Sequence, residues 1–201
     1  MFENKTSKQL FLLLAILFTF LSAQVSISFF MVVLTKFTGG DLWADKMRWL
    51  GEAMLISNTG LAIFLVLTGL VRRNFLPKKQ PTLPCQWWLG LVGFVLIAIG
   101  VNFALSPLGL DDNGAMELFT NVANNPFAIV CMCLIGPLAE GLVFREGIQR
   151  RLGLAGMKPW LAILISAFCF AVLHGNVAQG VLAFSLGALL GVLYHHTGDI
   201  R

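Results

Sequence analysis

Leu10 to Leu34 reads LFLLLAILFTFLSAQVSISFFMVVL, 25 residues without a charged side chain. A spanning helix needs about 20 mostly apolar residues to cross a hydrocarbon layer about 30 Å thick. This run is long enough to cross once. It is too long for the apolar core of a signal peptide. No small-x-small cleavage site follows its first apolar block cleanly, so it reads as a retained anchor.

Five more apolar runs follow, at Leu50–Val71, Trp87–Ser106, Pro126–Phe144, Trp160–His174 and Val177–Tyr194. The second span carries a polar patch at Ser57, Asn58 and Thr59. The third opens on a Trp pair, as suits a membrane interface. The last two are short and joined by a turn at Gly175-Asn176, which predicts a helical hairpin buried among the other helices. Composition agrees: 57% of residues are hydrophobic and 12% charged, with mean hydropathy +0.81. Soluble domains hold about 45–50% apolar and about 25% charged residues. The predicted fold class is all-α, a polytopic transmembrane helix bundle with about six spanning helices. No polar stretch is long enough for a second domain, so residues 1–201 form a single membrane-embedded domain.

The net charge of +4 is carried by short segments between apolar runs. No Lys/Arg-rich stretch is interleaved with aromatics, which argues against a nucleic-acid partner. The charges read as topology signals. With the amino terminus inside, the inner side holds Lys5, Lys8, Arg72, Arg73, Lys78, Lys79, Arg145, Arg150, Arg151, Lys158 and Arg201, eleven in all. The outer side holds Lys36, Lys46 and Arg48, three in all, beside the acidic Asp111, Asp112 and Glu117. The expected location is the cell membrane, multi-pass, with a cytoplasmic amino terminus and the lipid bilayer as partner.

Glu146 to Lys158 is charged on one side and apolar at Ile148, Leu152 and Leu154, which predicts a helix lying along the cytoplasmic face. Glu146 and Arg150 are spaced i,i+4 and suited to pair. Gly153 and Gly156 would end that helix, and Pro159 would open the next. In the last span Ala183, Gly187 and Gly191 form a ridge of small residues that lets another helix approach. In a protein with several spans, the expected use is internal packing rather than a dimer seam. No sequence repeat is apparent, so an inverted-repeat transporter lacks support. Cys85, Cys131, Cys133 and Cys169 show no disulfide framework and no CxxC pair. They read as small apolar filler.

Ionisable residues inside spans are functional candidates by default. Glu140 lies near the inner end of the fourth span, Arg145 follows five residues on, and His174 ends the fifth. Glu52 sits near an outer boundary and reads as interfacial. Each of the two candidates has a plain structural reading: Glu140 solvated or paired with Arg145, and His174 as a hydrogen-bonded histidine. Together on different helices they point to chemistry. A Glu takes a proton from water and a His orients that water, which yields a nucleophile without a covalent intermediate. A low-dielectric surrounding favours the neutral carboxyl, which suits a general base.

Glu140-Gly141-Leu142-Val143-Phe144-Arg145, then Phe170-Ala171-Val172-Leu173-His174, then LGALLGVLYHHTGDI resemble the CPBP family of intramembrane proteases in order and spacing. The family is named for CAAX proteases and bacteriocin processing and is also called Abi. Its first motif is Glu-Glu, three residues, Arg; its second is Phe, three residues, His; its third is His, three residues, Asn or Asp. The resemblance covers about residues 126–201; the earlier helices show only hydropathy. It implies a glutamate-type peptidase that needs no metal or cofactor, with Glu140 as general base, His174 as its partner and Arg145 as the motif cation. HExxH is absent, so zinc-protease chemistry lacks support.

Two departures follow. Gly141 stands where the family has its second Glu, which is i,i+4 to Arg145 and placed to pair with it. Arg145 must then find Glu140, a carbonyl or a lipid headgroup. The third motif is expected beyond Arg201. His195 and Asp199 match its spacing literally, but they fall at a helix end, ahead of the usual place. The sequence as given is expected to lack at least one helix and half of the active site. There is also a geometric tension. The spans as drawn put Glu140 toward the inner leaflet and His174 toward the outer, with a mismatch of roughly 10 Å.

Two readings remain in play. One is an intramembrane endopeptidase acting on a peptide or membrane-anchored protein. The other is a non-enzymatic immunity or regulatory protein on the same scaffold. A small transporter is the third, disfavoured because the spans are too apolar to line a water-filled path.

Overall fold

The computed structural model describes residues 4–71, 84–109, 120 and 123–197. Six helices make up the described residues: α1 (Lys5–Thr38), α2 (Leu42–Leu67), α3 (Pro84–Leu105), α4 (Pro126–Leu154), α5 (Pro159–Val172) and α6 (Val177–Thr197). A short 3-10 turn, Ser106–Leu108, follows α3. Five of the helices are long and apolar enough to cross a membrane. The exception is α5, whose 14 residues rise about 21 Å, less than the hydrocarbon thickness of about 30 Å. The architecture is the expected all-α polytopic bundle, with five full-length spans and one short one.

The centre of the bundle is α4. On one side it packs against the α1–α2 hairpin, and on the other against the α5–α6 hairpin. The main core joins Ile16 and Phe20 of α1, Leu61 and Leu65 of α2, and Val143, Phe144 and Ile148 of α4. A smaller cluster joins Ile27, Met31, Leu50, Ala53 and Ala128 at the other end. There Asn125 caps α4: its Oδ1 accepts from the Phe127 amide at 2.9 Å and the Ala128 amide at 3.2 Å. Its Nδ2 donates to Glu52 of α2 at 3.2 Å. Glu52, expected to be interfacial, therefore ties two helices together. α3 is peripheral. It touches α6 through Gly90 against Leu193 and Gly93 against Leu189, and otherwise faces outward.

α4 differs from the expected division into a span ending at Phe144 and a surface helix from Glu146. It runs unbroken to Leu154 and contains two wide turns, at Cys131–Ile135 and Gly141–Gln149. The first has a local cause. Pro137 lacks an N–H, and its ring clashes with the carbonyl one turn back. The helix responds by widening, and the Gly136 amide donates to Cys131 O, five residues back. A Cβ on Gly136 would sit 2.9 Å from that oxygen, so glycine suits this position. In the second wide turn all of Leu142 to Gln149 are buried. A helix buried all round is a core helix, not an interfacial one. Glu146, expected at the surface, is only 1% exposed.

Gly156 ends the α4 segment with φ 97°, a conformation open to glycine, and Lys158 is extended before Pro159, which opens α5. Gly175 with φ 66° forms the α5–α6 turn. The hairpin is not fully enclosed as expected. Ala162, Ile163, Ser166 and Ala167 face inward, whereas Trp160, Leu164, Phe168 and Val172 are exposed. The small-residue ridge of α6 packs internally. Gly187 lies over Ala167, and Gly191 lies over Ile163 and Gln149. Cys131 is buried while Cys133 is exposed, as residues two apart on a helix should be. Cys85, Arg72, Arg73, Lys78, Lys79, Asp111, Asp112, Glu117, Asp199 and Arg201, used in the sequence reading, lie outside the residues or side chains described.

A Cβ on Gly191 would lie 2.9 Å from Ile163 Cγ2, whereas Gly100 has nothing near it. Gly191→Val should therefore lower stability by about 1–3 kcal/mol, read as a drop in Tm in detergent. Gly100→Ala should hold or raise it by up to about 1 kcal/mol. Equal Tm values for the two variants would contradict the packing described.

Candidate active site

Glu140 and Arg145 both lie on α4, at the junction where the helix passes into its second wide turn. Wide π-type turns inside α-helices occur often at functional sites, because they swing side chains off the regular face. Glu140 is half-buried, and its carboxylate makes no hydrogen bond. Arg145 is 6% exposed, and its Nη1 is buried with no partner. No ion pair joins Glu140 to Arg145; the two interact only through space. Of the protein groups expected to replace the missing Glu at Gly141, neither Glu140 nor a carbonyl has closed on Arg145. A buried donor left unmade costs about 1–3 kcal/mol, and more when it is charged.

His174 lies at the end of α5, in the turn toward α6, and is exposed. Its Nδ1 is 2.9 Å from the Phe170 carbonyl oxygen. A carbonyl only accepts, so Nδ1 carries the proton and Nε2 of the neutral ring is left as an acceptor. The imidazole also packs edge-on to Phe170, with ring centroids 4.8 Å apart. Phe170 meets Phe144 at 4.9 Å, and Phe144 meets Phe20 at 5.5 Å. A line of aromatic rings thus runs from α1 through α4 to the histidine.

Register sets the relative heights. Ser166 Oγ donates to the Phe144 carbonyl at 2.6 Å. Nearer the basic end, Gln149 Nε2 donates to Gly191 O at 2.8 Å, beside Ile163. α4 and α5 therefore run antiparallel. Glu140 is four residues from Phe144, and His174 is eight from Ser166 in the same direction. The axial offset is about four residues, roughly 6 Å, less than the mismatch anticipated from hydropathy. The two side chains are not hydrogen-bonded to each other. A shallow groove of about 520 Å³ between α5 and α6 lies next to the turn, lined by Phe168, Val172, Val177, Val181 and Phe184.

His195 and His196 sit at the other end of the hairpin. Gly191 faces Ile163, so His195 lies near the level of Pro159, and it lines a cavity with that residue. From Pro159 to His174 is 15 residues of chain, about 22 Å along a helix. Neither histidine can complete a site with His174. Among the described residues no cluster of His, Cys, Asp or Glu could hold a metal.

Sequence reasoning missed a second buried polar cluster. Tyr194 donates to Glu146 Oε1 at 2.7 Å, and Arg150 Nε lies 3.8 Å from Glu146 Oε2. The i,i+4 pair of Glu146 and Arg150 forms as expected, but indoors. Arg151 Nη1 donates to Gln9 of α1 at 2.9 Å, and Nη2 to Leu70 O at 2.6 Å. One sequence signal was available: Tyr194 is the single Tyr among 17 Phe, in an otherwise apolar helix. A buried tyrosine hydroxyl needs a partner. Tyr194→Phe removes that hydrogen bond from a buried carboxylate and should lower stability by about 1–3 kcal/mol. Thermal unfolding measures it, and an unchanged Tm would show that the hydroxyl contributes nothing there.

Residues 122–201 match the family model described as Type II CAAX prenyl endopeptidase Rce1-like. No curated protein and no solved structure matches the chain. The matched segment contains α4, α5 and α6, and with them Glu140, Arg145 and His174. With five helices long and apolar enough to cross a bilayer, the chain is a multi-pass membrane protein whose residues 122–201 are similar to the Rce1-like type II CAAX prenyl endopeptidase family.

Proposed function

We propose that the protein is an intramembrane endopeptidase of CAAX-protease type, cleaving a peptide or membrane-anchored protein with a glutamate-activated water. The observation that carries this reading is the half-buried, unbonded Glu140 within an Rce1-like segment, about one helical turn in level from His174. Glu140 takes a proton from water while His174 Nε2 holds the water by accepting its other hydrogen. The hydroxide adds to the scissile carbonyl carbon. The C–N bond then breaks, and Glu140 returns its proton to the departing amine. The groove beside His174 is apolar enough to hold a substrate that approaches from the lipid phase. Arg145 would balance the charge that forms nearby.

The described residues hold no third-motif histidine close to His174, so the groups that stabilise the oxyanion are not assigned. The basic residues Lys5, Lys8 and Lys158 lie at the end of the bundle away from His174, which supports a cytoplasmic amino terminus.

Glu140→Gln should abolish proteolysis and leave Tm unchanged within a degree or so. Turnover of a quenched-fluorescence peptide by that variant at the wild-type rate would remove Glu140 as the base.

Arg145 with its unpartnered Nη1 favours a second reading, a non-enzymatic membrane immunity or regulatory protein on the same scaffold. Gly141→Glu separates the two. Glu at that position is i,i+4 to Arg145 and supplies its missing partner. For a protease it should raise both Tm and turnover. A rise in Tm with no turnover in either protein points to the regulatory role.

A further inference from the structure

The basic end of the bundle holds a cavity that takes no part in the chemistry proposed for Glu140 and His174. Its volume is about 350 Å³, and Gln149, Arg150, Pro159, Tyr194 and His195 line it. It opens where α4 ends, α5 begins and α6 ends. We propose that this cavity binds a phosphate ester, presented by the headgroup of an anionic phospholipid.

Four observations point to that ligand. First, Arg150 is partly exposed at the cavity. Its side chain makes no hydrogen bond, and its one ion-pair contact, to Glu146, is long at 3.8 Å. A guanidinium so placed has donors left for phosphate oxygens. Second, α5 begins at the cavity with Pro159 at its first position, and no side chain caps it. The amides of Trp160 and Leu161 have no carbonyl to bond within the helix, and a helix start of this kind favours an anion.

Third, exposed basic side chains gather at this end. Thr6 Oγ1 donates to Ala155 O at 3.3 Å, which brings the exposed Lys5 and Lys8 to this end, beside the exposed Lys158. Among the described residues the carboxylate nearest the cavity is Glu146, buried against Tyr194. Fourth, the wall of the cavity contains an unmet acceptor. Gln149 is 5% exposed, and its Oε1 has no partner. A headgroup carrying a hydroxyl as well as a phosphate answers both needs. Trp160, exposed at the start of α5, marks the level at which lipid headgroups lie. Basic pockets between spanning helices at one membrane face commonly take anionic headgroups.

The test uses the full chain in detergent, titrated separately with short-chain phosphatidylglycerol, short-chain phosphatidylcholine and inorganic phosphate. Thermal unfolding and native mass spectrometry read the binding. Phosphatidylglycerol should raise Tm and survive as a one-to-one adduct, and phosphatidylcholine should bind at least fivefold more weakly. Arg150→Gln should weaken phosphatidylglycerol binding by roughly fivefold, the equivalent of one surface charge. His195→Ala alters an exposed side chain and gives the same test should Arg150→Gln fail to fold. Stabilisation by inorganic phosphate that is lost in the variants would support the site and assign it to free phosphate. Equal binding of phosphatidylglycerol and phosphatidylcholine, or phosphatidylglycerol binding unchanged in both variants, would overturn the proposal.

Discussion

Everything in this bundle depends on the burial of α4 from Leu142 to Gln149 on every side. A segment enclosed in that way draws the partners of its polar side chains mainly from neighbouring helices. Each neighbour contributes accordingly. α5 gives Ser166 to the Phe144 carbonyl, and α6 gives Tyr194 to Glu146 and the Gly191 carbonyl to Gln149. α1 gives Gln9 to Arg151 just beyond the enclosed segment. These bonds fix the heights of four helices at once. Glycines make the close approach feasible: a Cβ on Gly147 would meet Ile16 at 2.9 Å, and one on Gly191 would meet Ile163 at the same distance.

That network leaves a few buried atoms unmet, at Gln149 Oε1, Arg151 Nε and Arg145 Nη1, and of these residues only Arg145 has no side-chain hydrogen bond at all. It is as buried as its neighbours, yet its Nη1 finds nothing. Gly141 lies one turn earlier on the same helix and offers no side chain. A buried charge without a partner is costly. Such residues in a membrane protein tend to mark sites where a ligand, substrate or water completes the set. Its nearness in sequence to Glu140 puts two charged side chains without hydrogen bonds in one place, at the edge of the wide turn.

The two ends of the α5–α6 hairpin are chemically different. At the turn, His174 sits beside an apolar groove. At the open end, Arg150, His195 and the start of α5 line a second cavity. The 15 residues from Pro159 to His174 keep them about 22 Å apart, less than the roughly 30 Å of a hydrocarbon layer. One hairpin therefore presents an apolar surface at its turn and basic side chains at its open end.

The number of helices, their apolar character and the positions of Glu140, Arg145 and His174 in recognisable motifs were legible in the sequence. They rest on local composition and spacing: a spanning helix is a run, and a motif is a count of residues. So were the helix stop at Gly156, the start of α5 at Pro159 and the internal use of the Gly187–Gly191 ridge, although Gly153, expected to share that stop, stays helical. The continuity of α4 through Glu146 was not legible, because a charged, amphipathic stretch has the same pattern on a membrane surface as in a polar cluster inside a bundle. Only the partner decides, and Tyr194 lies 48 residues away. The level of His174 was likewise hidden. Hydropathy assumes that each apolar run crosses the full layer, whereas the Ser166–Phe144 hydrogen bond and the short α5 set its height by packing. The sequence determined which segments enter the membrane; the tertiary structure decided which of their charges meet, because that depends on helix register, which no single helix encodes.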